Sequence, residues 1–203
     1  MQKLPLSFYL RSDVVKIARE LLGKVLVTQF EGERTSGRIV ETEAYAGELD
    51  RASHASKGRT ARTDVLFKAG GTAYVYLCYG IHQMFNIVTN VDGVPHAILI
   101  RAVDPMEGVE LMMARRNKKK FDETLTRGPG SVGQAFGFHT SQSGLSLQGD
   151  ELYIADDGFK LPKSDIIASP RIGVDYAGEH AAWDYRFYVK GNRFVSGKGK
   201  RER

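Results

Sequence analysis

Apolar positions recur at helical spacing near the start of the chain, where Val14, Ile17, Ala18, Leu21 and Leu22 share one face. Ser12-Asp13 offers a cap and Gly23 a stop, so the spacing predicts an amphipathic helix over residues 13–22. Beyond it the pattern turns short-ranged. Residues 24–30 and 37–44 read as strands joined in a hairpin at Glu31-Gly32-Glu33. The polar stretch 45–62 has no periodicity, carries Gly47 and Gly58, and reads as a long functional loop. Thr63 can cap a short helix through Phe67, after which Gly70-Gly71 turns the chain into Tyr74-Val75-Tyr76-Leu77-Cys78-Tyr79-Gly80. Strand alternation sets Tyr74 and Tyr76 on one face and Val75 and Leu77 on the other, and Gly80 leaves Tyr79 at a tip. Residues 84–90 and 96–103 pair across Val91-Asp92-Gly93.

Further along, Pro105 opens a predicted helix over residues 105–116, ending in the basic run of residues 115–120, which reads as a solvated face. Gly128-Pro129-Gly130-Ser131 opens another through Phe136, with Ser131 as N-cap and backbone amides able to hold a phosphate. Short strands and turns fill residues 141–170, with Asp156-Asp157-Gly158 the clearest turn, and a last strand covers 186–190. The sum is a mixed α+β fold: one domain, residues 1–195, on a curved, mostly antiparallel sheet with short helices around it. Residues 196–203 are basic, lack an apolar anchor and are expected to form a disordered tail.

Composition narrows the function. With 42% hydrophobic and 26% charged residues in 203, the chain can bury a substantial core. Its 29 Lys and Arg against 24 Asp and Glu leave a charge of +5, which suits a polyanionic partner. Cys78 is the sole cysteine, which excludes an intrachain disulfide; its place in the apolar half of a strand predicts a buried, inert thiol. No signal-peptide pattern and no apolar run of membrane-spanning length occur, so an intracellular, cytoplasmic protein without membrane attachment is expected.

The chemistry concentrates in Glu41-Thr42-Glu43-Ala44-Tyr45, where Glu41, Glu43 and Tyr45 share a strand face and the carboxylates stand about 6.6 Å apart at their alpha carbons. Two carboxylates so placed can flank a glycosidic bond. Alternatively one or both pair with Arg38, Arg101 or another cation, Glu41 before Glu43, since Glu43 adjoins the loop. His54 can act as a base, stack on a ligand or bind a metal, but His82, His96, His139 and His180 show no ligand spacing with it, and no metal is expected. Asn86 can read a base edge or satisfy a backbone group. Arg101, between Ile98-Leu99-Ile100 and Ala102-Val103, is a charge inside an apolar strand and needs a glutamate or a phosphate as partner.

Residues 39–45, Ala52-Ser53-His54-Ala55, the run from Tyr74 through His82 to Asn86-Ile87, and Ile100-Arg101-Ala102 resemble, in order and spacing, the alkyladenine (3-methyladenine) DNA glycosylase family. Gly128-Pro129, Arg171-Ile172-Gly173-Val174, Ala177-Gly178-Glu179 and Arg186-Phe187-Tyr188-Val189 extend the likeness over nearly the whole chain. The resemblance implies a monomeric base-excision-repair enzyme that acts on double-stranded DNA containing damaged purines, without a cofactor, in the cytoplasm or at the nucleoid of a bacterium. It implies Glu43 as the base that activates water and Arg101 as the group that helps place it. It further implies Tyr45 and His54 against one side of the flipped base, Tyr76 against the other, Tyr79 wedged into the duplex and Asn86 crowding purines that carry a 2-amino group. No lysine is placed for a Schiff base, so a monofunctional glycosylase is expected. Its lesions would be alkylated adenine, hypoxanthine and ethenoadenine.

The chain departs from the family at Gly130-Ser131-Val132, where a basic residue and leucine are usual, and at Arg62-Thr63-Asp64, where arginine-asparagine is usual. Two rivals stand beside this reading. One is a sugar hydrolase using Glu41 and Glu43; the other is a noncatalytic nucleic-acid-binding module.

Overall fold

The computed structural model describes residues 1–197. Its longest strand, β3 (Glu33–Tyr45), begins four residues earlier than the sequence pattern suggested, directly after a turn in which Glu31 and Gly32 both have positive φ. Along one edge β3 pairs first with β2 (Val25–Phe30) and then, at Glu41 to Glu43, with β9 (Arg186–Val189). Its other edge pairs with β6 (His96–Glu107). The sheet continues through β5 (His82–Thr89) to β4 (Ala73–Cys78) on that side, and through β7 (Leu152–Asp156) to β1 (Gln2–Lys3) on the other; β8 (Ile166–Ser169) pairs with β9. All these pairings are antiparallel, and the sheet curls with short helices packed around it, a mixed α+β single domain.

The helices are short. After α1 (Leu6–Tyr9), α2 (Val14–Leu21) starts at Asp13, whose carboxylate accepts the Lys16 N–H. Its Val14, Ile17, Ala18 and Leu21 are buried against the sheet, and the Thr42 hydroxyl donates to the Ala18 carbonyl. The helix expected over residues 105–116 proves to be mostly strand at its start. β6 runs on to Glu107 with Pro105 opposite Gly37 at a register shift, a place where a missing N–H costs no ladder bond. Gly108, with φ of 74°, then turns the chain into α3 (Val109–Arg115). Likewise α4 (Pro129–Ala135) begins at Pro129 after Gly128 and not at Ser131, and no side chain caps it. Thr63 precedes a 3-10 turn at Asp64–Phe67, but its hydroxyl bonds Gly58 and Thr60 instead of capping the turn.

Helix α4 packs on β5 so closely that a Cβ at Gly133 would collide with the Gln83 carbonyl, and one at Gly130 would come within 2.8 Å of the His82 ring. The departure at Gly130 is thus matched by His82, which occupies the space a side chain there would need. Ser196, assigned by its sequence to a loose tail, is buried among polar partners of the sheet. The rest of that segment, residues 198–203, lies outside the described residues.

Candidate active site

The site is built from one row of directly opposed residues that crosses the sheet. Tyr74 faces Asn86, Asn86 faces Leu99, Leu99 faces Glu43, Glu43 faces Arg186 and Arg186 faces Ser169. Opposed residues project to the same side, so register alone brings side chains from six strands together. A cavity of about 480 Å³ stands on this row, lined by Tyr45, His54, Tyr76, Tyr79, Asn86 and Arg101 among others. Glu43 lies just beneath, fully buried, held by residues of the lining.

Arg101 occupies a bulge. Glu41 pairs with Ala102 and Thr42 with Ile100, so Arg101 has no partner in the ladder, just as Val40 has none on β3. Bulges bend a strand and re-aim side chains. Here the guanidinium reaches both carboxylates, with Nε 3.0 Å from Glu41 Oε1 and Nη1 3.2 Å from Glu43 Oε1. Burial by itself would lower the pKa of Arg101, but Glu43 and Glu41 outweigh it and hold the group above the usual arginine value. A second arginine, Arg186, places Nε 2.7 Å from the same Glu41 oxygen. The four buried charges therefore cancel, which is the condition for keeping them out of water.

Glu41 consequently has no role to spare as a second catalytic carboxylate. Beyond its two arginines it accepts the Ser196 N–H at 2.6 Å and the Ser196 hydroxyl at 2.9 Å. The alternative that Glu41 is paired by arginine is the one observed, in the interior of the sheet. Glu43 accepts the Tyr45 hydroxyl at 2.8 Å on Oε2 and the Ile172 N–H at 2.8 Å on Oε1. Burial first, and the neighbouring Glu43 second, push the Tyr45 pKa well up, so the phenol stays a donor.

The cavity walls are aromatic. His54 sits edge-on to Tyr76 with ring centres 4.5 Å apart, and its Nδ1 lies 3.1 Å from the Tyr74 hydroxyl. Burial, with help from Arg62, lowers the His54 pKa, so the imidazole is neutral at pH 7. The side-chain nitrogen of Asn86 donates to the carbonyls of Tyr74 and Met84, so this residue satisfies backbone while lining the cavity. Cys78 is partly exposed and lines the cavity on the face of Tyr74 and Tyr76, which corrects the expectation of a buried thiol: by alternation it belongs to the tyrosine face. Tyr79 is 90% exposed at the turn between β4 and β5, where it and Gly80 both have positive φ.

The sequence alone did not reveal the clamp around the long loop. Asp50 and Arg171, both buried, form a two-pronged pair, and Asp50 also accepts the N–H groups of Ala46 and Ala52. Arg171 adds bonds to the carbonyls of Ala44 and His180. Together they fix residues 46–54 beside Ile172, and that polar segment is accordingly ordered, with 3-10 turns at Gly47–Leu49 and His54–Lys57. Arg186 carried a signal like that of Arg101, a charge leading an apolar strand; Arg171 stood out only as part of a motif of the family resemblance, and Asp50 carried no signal. Among the described residues no group of three His, Cys, Asp or Glu side chains is placed to hold a metal ion.

Comparison with known proteins decides the family. The profile of Methylpurine-DNA glycosylase (MPG) matches residues 7–193. The chain belongs to the methylpurine-DNA glycosylase family. Similar proteins include one from Clostridium acetobutylicum, 45% identical over 96% of this chain and 97% of its own, and one from Methanocella arvoryzae, 48% identical over 97% and 96%. A third, from Bacillus cytotoxicus, is 43% identical over 96% and 99%. Each bears the name "Putative 3-methyladenine DNA glycosylase". A methylpurine-DNA glycosylase is a DNA-repair hydrolase of N-glycosyl bonds, and DNA is its substrate. No helix among the described residues is long and apolar enough to cross a membrane.

Proposed function

We propose that this glycosylase flips a damaged purine into the cavity above Glu43 and cleaves its N-glycosidic bond with a water that Glu43 activates. The observation that carries the reading is the carboxylate itself: Glu43 lies under an aromatic cavity, oriented on both oxygens by Arg101, Tyr45 and the Ile172 N–H. On this reading the incoming water replaces the Tyr45 hydroxyl at Oε2, gives up its proton there and adds to the sugar carbon as the bond to the purine breaks. The ionised carboxylate also opposes the positive charge that develops on the sugar. Arg101 keeps Glu43 in place, and its charge lies beside the position of the water.

Extracting a base from a duplex costs a few kcal/mol, and stacking on aromatic rings returns roughly 1–3 kcal/mol per base. Tyr45, His54 and Tyr76 supply that surface, Tyr79 fills the gap left in the duplex, and Asn86 crowds purines with a 2-amino group. Alkylated adenine leaves readily because it is cationic; hypoxanthine and ethenoadenine extend the range. The enzyme works as a monomer, without strand cleavage, in the compartment that holds DNA. Base release from duplexes carrying an alkylated adenine, hypoxanthine or ethenoadenine, with wild type and Glu43→Gln in parallel, tests this reading. Release by wild type and silence from the variant are expected; equal release by both removes Glu43 as the base.

A further inference from the structure

We infer that Ser196 is a positioning residue of the reacting centre, holding the Arg101 guanidinium square to Glu43 from behind. This rests on the reading of Glu43 and Arg101 just given. The three nitrogens of Arg101 have three separate anchors: Nε on Glu41, Nη1 on Glu43 and Nη2 3.2 Å from the Ser196 hydroxyl. That hydroxyl has a single proton, which it donates to Glu41 Oε1 at 2.9 Å, leaving its lone pairs to accept from Arg101. The Ser196 N–H donates to the other Glu41 oxygen at 2.6 Å, and the Ser196 and Gly197 carbonyls receive Arg186.

Ser196 thus touches Glu41 and Arg101 and, through its carbonyl, Arg186. It is buried and lies 155 positions from Glu41 in the chain. Without the hydroxyl, Nη2 loses its anchor in a buried setting, and the guanidinium can rotate about the Glu41 contact, turning Nη1 away from Glu43. The cavity walls do not include Ser196, so base stacking should be indifferent to its loss.

The test is single-turnover release of an N-methylated purine from a duplex oligonucleotide at saturating enzyme, for wild type, Ser196→Ala, Ser196→Cys and Ser196→Thr. Affinity for the lesion duplex is measured alongside, each change being placed in a Glu43→Gln background. The Ser196→Ala rate should fall about ten- to a hundred-fold, as expected for loss of a hydrogen bond to a charged group. Lesion affinity should stay within about twofold and Ser196→Thr should recover most of the rate. Ser196→Cys keeps the unbranched side chain and the backbone N–H but offers only a weak donor and acceptor, and it should show the same rate loss should the alanine variant not fold. A merely structural serine would lower the melting temperature or the folded fraction and leave the saturated rate of the folded enzyme at the wild-type value. That result overturns the inference, as does a loss confined to DNA affinity. A Glu43→Gln enzyme as fast as wild type would overturn the underlying reading, and this inference with it, whatever Ser196 does.

Discussion

Two rows of residues cross the sheet one position apart and face opposite ways. Ala73, Ile87, Ile98 and Ala44 form one, fully buried against the α2 side; Tyr74, Asn86, Leu99, Glu43 and Arg186 form the other, under the cavity. The first row needs only volume and exclusion of water, which any close-packed apolar set supplies. The second places charges in the interior, and each must find a partner from a distant part of the chain. Stability on the first face is spread over many contacts, whereas on the second it depends on a few bonds that also fix the orientation of Glu41 and Glu43.

Breaking the second row at Glu43, the proposed base, should have the largest effect. Glu43→Gln keeps the shape and the Arg101 contact, so base release should drop about 10²- to 10⁴-fold while lesion binding persists, as a glycosylase assay beside a binding titration would show. Next comes Arg186→Met, which leaves Glu41 with one arginine and strips the Ser196 and Gly197 carbonyls of a donor. A loss of about 3–5 kcal/mol in urea unfolding is expected. Tyr79→Ala, outside both rows, should weaken lesion-duplex binding by about 1–3 kcal/mol and leave the unfolding curve in place. Ile98→Val in the first row should cost about 0.5–1.5 kcal/mol of stability, with the saturated rate of base release unchanged. A slower rate in that variant would mean that the two faces are coupled through β6.

The same contrast explains what was legible in the sequence. The face of α2, the β2–β3 hairpin and the tyrosine strand follow from periodicity, because each is decided by residues within a few positions of one another. Glu43, Tyr45, His54, Tyr76, Asn86 and Arg101 were singled out by residue type and motif, and the structure brings them to one place. What stayed hidden was decided at long range. Pro105 looked like a helix start because nothing local shows that β6 continues past it opposite Gly37. Ser196 looked like tail because its partners lie on β3, β6 and β9. The bulge at Arg101 depends on the register of two strands, which no local pattern encodes.

Cys78 accepts the Ile81 N–H at 3.1 Å across Tyr79 and Gly80, both at positive φ, the pattern of a type I′ turn. Such a turn leaves its two central residues almost no backbone freedom. Fixing a residue costs about 1–2 kcal/mol, and here the hairpin meets that cost as the protein folds. The exposed ring is therefore already immobilised at its base, so if Tyr79 is the group that enters a duplex, as proposed, encounter orders only its side-chain torsions.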